Sequence, residues 1–178
     1  RIALTNELAY DGRGYDIDFA DLEEKLADPL TTMFILCNPH NPVGKIWSEE
    51  KLAKIGELCA KHGVLVISDE IHCDITSPSK NYVPFIRASE TCKNISITCV
   101  SPTKAFNIAG LQSSTAVVPN PKLRAKMAKA INDDEVGEGN AFSCIAAIAA
   151  FEQGEAWLEQ MREYVEQNRK IVSEFLQN

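Results

Sequence analysis

Long apolar runs are missing from this 178-residue chain, so nothing in it reads as a membrane span, and no signal-peptide pattern opens it. An excess of positive charge is missing as well. Eighteen basic residues stand against 25 acidic ones, and the net charge of −7 argues against a general nucleic-acid or anionic-membrane surface. No C-x-x-C pair occurs among Cys37, Cys59, Cys73, Cys92, Cys99 and Cys144. Most of these lie in apolar segments and read as reduced core residues of a cytoplasmic protein, not as a disulfide frame or a zinc site. No G-x-G-x-x-G follows any predicted strand, which removes the usual fingerprint of a dinucleotide-binding domain. Internal repeats and low-complexity tracts are lacking too. What is present is an ordinary globular balance, 45% hydrophobic and 24% charged, in a length that can bury one substantial core.

The chain enters a strand-like run at Arg1 and closes within a periodic helix at Asn178, as expected of a domain cut from a longer protein. Ile2-Ala3-Leu4 leads towards Tyr10, and Asp11-Gly12-Arg13-Gly14 is a turn signal before Tyr15-Asp16-Ile17. Asp18 is placed to cap a helix over 19–27, with Leu22 and Leu26 on one face. The continuous apolar run 32–37 predicts a strand covered on both faces. Ser48, followed by Glu49 and Glu50, predicts a helix start; Leu52, Ile55, Leu58 and Cys59 form its apolar stripe, and Gly63 its end. Runs 64–67 and 95–100 are further buried strands, 77–92 reads as loop-rich, with Pro78 and Pro84, and 114–118 as a short strand. Helices are expected at 122–131, at 141–151 (buried, being apolar nearly all round) and from Glu155 onward.

Three polar residues follow three of these strands. Asn41 lies in the stiff loop Asn38-Pro39-His40-Asn41-Pro42-Val43-Gly44, Asp69 follows Val64-Leu65-Val66-Ile67, and Lys104 follows the run ending at Val100. Asn41 and Asp69 are 28 residues apart and Asp69 and Lys104 are 35 apart, each room for one crossover, so parallel strands would gather all three at one sheet edge. An amide, a carboxylate and a lysine together match the needs of pyridoxal phosphate. The lysine can form a Schiff base with its aldehyde, the amide can donate to its phenolic oxygen, and the carboxylate can keep its ring nitrogen protonated. Ser101 and Thr103, flanking the lysine, suit its phosphate.

With these motifs the sequence resembles the fold-type I pyridoxal-phosphate enzymes, the class I/II aminotransferases. The resemblance implies an α/β fold: a three-layer sandwich around a mostly parallel sheet, the cofactor-binding large domain of that family, here residues 1–153. Residues 154–178 would be a long helix leading towards a small domain. It also implies that Asn41 donates to the phenolic oxygen, Asp69 pairs with the pyridine nitrogen, Lys104 holds the cofactor, and Ser101 and Thr103 help bind phosphate. His72 stands where many aminotransferases carry a tyrosine, and Gln112 where many carry a phosphate-binding arginine. Asp-Glu-Ile-His and Lys-Ala-Phe-Asn-Ile-Ala-Gly-Leu-Gln resemble the carbon–sulfur lyases of the cystathionine β-lyase type. His72 thus joins the cofactor-binding set.

The implied activity is β-elimination from a sulfur amino acid by a homodimer, with a small amino-acid substrate and no nucleic-acid or membrane partner. A class I/II aminotransferase is the alternative, and a folded piece without activity of its own is the second. Glu70, His72, Cys73 and Asp74 are spaced closely enough to raise a metal site. On an extended strand, however, neighbours point to opposite faces, so no metal is expected.

Overall fold

The computed structural model describes residues 4–12 and 14–177; Ile2, Ala3 and Arg13 of the expected lead-in and turn lie outside them. Strands β1 (Leu8–Tyr10) and β2 (Tyr15–Ile17) form an antiparallel hairpin. Helix α1 (Phe19–Leu26) starts where Asp18 accepts hydrogen bonds from the Ala20 and Asp21 amides at 3.0 and 3.1 Å, and it buries Leu22 and Leu26. Strand β3 (Met33–Cys37), helix α2 (Glu49–Lys61) and strand β4 (Leu65–Asp69) make the expected crossover. Ser48 caps α2, and Gly63 turns the chain out of it at φ +69°, a conformation that favours glycine.

Then come α3 (Phe85–Ala88), α4 (Glu90–Ile95), β5 (Ser96–Val100), α5 (Pro102–Ala105) and β6 (Thr115–Val117). Helices α6 (Pro121–Asp133), α7 (Ser143–Gln153) and α8 (Glu155–Gln177) complete the described chain. The main sheet has the order β3-β4-β5-β6, with β3, β4 and β5 parallel and β6 antiparallel to β5. The α/β class and the mostly parallel sheet are those expected.

Pairing of Leu36 with Ser68 and Thr98, and of Cys37 with Asp69 and Cys99, fixes which residues share a face. The face carrying Leu36, Val66 and Ser68 packs into a core with Leu22, Trp47, Leu52, Ile55, Phe85 and Cys92. The opposite face carries Met33, Ile35, Cys37, Asp69 and Cys99.

Four expectations are corrected. The loop-rich segment 77–92 is irregular only as far as 84 and then holds α3 and the start of α4, helices of four and six residues, too short to show a 3.6-residue period. The run 32–37 is covered on one face only: Met33 is exposed, and Ile35 is 66% exposed. Helix α7 is not buried, since Ile145, Ile148 and Phe151 lie on the surface, as do Val165, Val172 and Phe175 of α8. Cys144, expected in the core, is exposed. Apolar patterning marks surface that benefits from cover; it does not supply the cover. Among the described residues no helix is long and apolar enough to cross a membrane.

Gly56 marks a close contact between α2 and α4 in the core. A Cβ there would stand 2.3 Å from Cys92 Sγ on α4. Alanine gains about 1 kcal/mol in helix propensity, but overpacking costs about 1–3 kcal/mol, so Gly56→Ala is expected to lower stability in urea unfolding. Adding Cys92→Ala should restore it; a stabilised single variant would show that the two helices part easily.

Candidate active site

The loop after β3 is built around an indole. Trp47, 1% exposed, donates from Nε1 to the Cys37 carbonyl at 3.0 Å, which folds 38–47 back against the strand end. His40 N–H donates to the Lys45 carbonyl at 2.7 Å, Gly44 takes φ +66°, and the His40 ring meets the Trp47 ring edge-on at 5.9 Å. Burial pushes the His40 imidazole down, which favours its neutral form. Asn41 sits at the tip of this turn, exposed, and its amide makes no hydrogen bond to the described residues.

Asp69 is the last residue of β4, one position earlier than a residue following the strand. Its backbone ties the neighbouring strand ends together: Asn38 N–H donates to the Asp69 carbonyl at 2.9 Å, and Glu70 N–H to the Cys99 carbonyl at 2.9 Å. Its carboxylate accepts the Ile71 amide at 3.3 Å on Oδ1, leaving Oδ2 without a hydrogen bond from the described residues. Cys37 and Cys99 flank it in register. Burial, and then the Asp69 charge, push both thiols up, so Asp69 has neutral neighbours on either side.

Beyond β5, Ser101 caps α5 by accepting the Thr103 amide at 3.1 Å. The Ser101 hydroxyl donates to the Ser113 carbonyl at 2.6 Å, so the 2.6 Å contact between the two hydroxyls is Thr103 donating to Ser101. Both hydroxyl hydrogens are therefore engaged within the loop, and a phosphate here would have to draw the Thr103 hydrogen away. Lys104 is exposed, with no ion pair or hydrogen bond to the described residues. Helix α5 packs against the 3-10 turn Cys73–Ile75, just past Asp69. Gln112 is exposed at φ +50°.

Asn41 and His72 share a groove of about 560 Å³ with Lys80, Arg162, Glu166 and Arg169; Asp69 and Lys104 do not line it. Sequence reasoning missed the α8 residues, whose one signal is the seven-residue step from Arg162 to Arg169 that sets both on one helix face. It also missed the Glu70 side chain, which is 1% exposed and turned into the core. His72 and Cys73 lie in a turn and a 3-10 helix, so strand alternation does not describe them, contrary to the reasoning applied to the Glu70–Asp74 group. Among the described residues no group of three His, Cys, Asp or Glu could hold a metal ion.

The chain is 46% identical to cystathionine beta-lyase PatB of Bacillus subtilis over 176 residues, which are 99% of this chain and 46% of that protein. It is 30% identical to aspartate aminotransferase of Geobacillus stearothermophilus, over 81% of this chain and 36% of that protein. Among solved structures, the pyridoxal-phosphate-bound C-S lyase of Staphylococcus hominis superposes with a TM-score of 0.88 at 38% identity, covering 97% of this chain and 43% of that one. The chain thus spans less than half the length of these relatives. The family described as aminotransferase class I and II matches residues 4–178. With that match over nearly its whole length, the chain belongs to the class I and II aminotransferases, a family of enzymes.

Proposed function

We propose that this chain is the cofactor-binding part of a pyridoxal-phosphate-dependent carbon–sulfur β-lyase. One observation carries the reading. Asn41, Asp69 and Lys104 leave one edge of three parallel strands, each with polar atoms that the described residues do not engage. Those atoms fit the cofactor: an amide for its phenolic oxygen, a carboxylate oxygen for its ring nitrogen, an amine for its aldehyde. When bound, pyridoxal phosphate supplies a covalent handle for the substrate amine and a ring that takes up electrons from the α-carbon.

The residues of the chain do the rest. With the cofactor bound, Asp69 would hold a proton on the ring nitrogen, Asn41 would donate to the phenolic oxygen with His72 beside it in the same groove, and Thr103 and Ser101 would help hold the phosphate. Lys104, as a free amine, removes the α-proton as general base. The substrate would then lose the sulfur from its β-carbon as a thiol carrying the proton that Lys104 had taken, and water would hydrolyse the three-carbon remainder to pyruvate and ammonia.

A sulfur amino acid such as cystathionine or cysteine is the proposed substrate, and a second copy of the chain the proposed partner. His72, Gln112 and the likeness to PatB support a lyase. The likeness to an aspartate aminotransferase supports the other reading, in which Lys104 returns the proton to the cofactor's own carbon.

In the intact protein, Lys104→Ala is expected to abolish both turnover and the covalent fixation of the cofactor by borohydride; fixation on a peptide carrying a different lysine would remove the assignment. Asp69→Asn should keep the cofactor yet lose an order of magnitude or more in kcat, ~1.4 kcal/mol for each tenfold. A near-normal kcat would leave Asp69 a purely structural role. Offered cystathionine, the protein should release pyruvate and a thiol with no keto acid present, whereas a strict keto-acid requirement would make it an aminotransferase.

A further inference from the structure

Directly behind Asp69, on the covered face of the sheet, lies a cluster of polar side chains that the proposed chemistry does not use. Asn38 and Ser68 are fully buried and Glu70 is 1% exposed. Glu70 Oε1 accepts the Ser68 hydroxyl at 2.7 Å and the Phe85 amide at 2.9 Å, and Oε2 accepts the Tyr82 hydroxyl. Asn38 Nδ2 donates to the Val83 carbonyl at 3.0 Å. Residues 82–85 are therefore held twice, by the first residue after β3 and by the first residue after β4. They form a strap beneath the two strand ends that carry Asn41 and Asp69.

Asn38 Oδ1 is buried without a partner among the described residues, and a buried carboxylate gains little over well-packed apolar side chains. What buried hydrogen bonds supply and apolar packing does not is a defined direction. Three donors converging on one carboxylate set where Tyr82 and Phe85 sit relative to β4, and Asn38 sets the same segment relative to β3.

We infer that Glu70 is a positioning residue: through Tyr82, Phe85 and the Asn38-bound strap, it fixes the separation of Asn41 and Asp69 and so the fit of the cofactor ring between them. This rests on the functional reading given above. Glu70 itself faces away from the site, because Asp69 and Glu70 leave the strand on opposite sides.

The test is made on the intact protein, by titrating apoprotein with pyridoxal phosphate and following the visible band as pH is varied. Glu70→Gln keeps the volume but replaces one acceptor oxygen with an amide donor. It should lower cofactor affinity about tenfold, the scale of a lost charged hydrogen bond, and displace the pH midpoint of the band. Tyr82→Phe removes one donor only and should act in the same direction by about threefold. If the glutamine variant does not fold, the Tyr82→Phe result decides alone. Wild-type affinity with an unmoved midpoint would reduce Glu70 to core filling and overturn the inference. A wild-type protein that takes up no pyridoxal phosphate would instead overturn the functional reading beneath it.

Discussion

The parallel register of β3, β4 and β5 is the constraint on which the core and the candidate site both depend. It aligns Cys37, Asp69 and Cys99, and the ladder runs one residue further through Asn38 N–H to the Asp69 carbonyl and Glu70 N–H to the Cys99 carbonyl. A strand has a side-chain period of two, so slipping β4 by one residue would drive Asp69 into the core and turn Ser68 and Glu70 outward. Burying an uncompensated carboxylate is far costlier than any single packing contact is favourable. The apolar alternation that buries Val66 therefore also dictates that Asp69 stands on the other face.

Two carboxylates adjacent in sequence thus end in opposite surroundings. Burial pushes the Glu70 carboxyl up, and donation from Tyr82, Phe85 and Ser68 works against that shift. Asp69 has one amide contact and two protonated thiols in register beside it. The two carboxylates point to opposite faces of the sheet, so one can serve architecture and the other can be presented to a ligand.

Features set by a few neighbouring residues were legible in the sequence. Asp18 and Ser48 cap where they were expected to, and the three strand ends carrying Asn41, Asp69 and Lys104 were placed from apolar runs and crossover lengths alone. Features set by distant partners were not. Glu70 reads as one more acidic residue until Tyr82, twelve positions later, is brought onto it by an irregular segment with no period to recognise. The groove beside Asn41 depends on α8, about 120 residues further along the chain. Coverage was the least legible of all: α7 has the composition of a buried helix and an exposed surface.

Stiffness is also distributed unevenly, and the proposed reaction gives that distribution a reason. Asp69 is held by the backbone hydrogen bonds of a strand between two others, which fixes where its side chain leaves the sheet. Asn41 rides on a turn clamped by Trp47 and the His40–Lys45 bridge, which aims an amide without burying it. Lys104 alone is a long, exposed side chain on a helix of four residues, held in place by the Ser101 cap and by packing on the 73–75 turn. A charge that must stay fixed against a ring is best carried by the sheet. In the proposed role, an amine that takes a proton from a substrate would need a flexible stem, and the roughly 2 kcal/mol of rotamer entropy in a lysine side chain is retained until a ligand orders it.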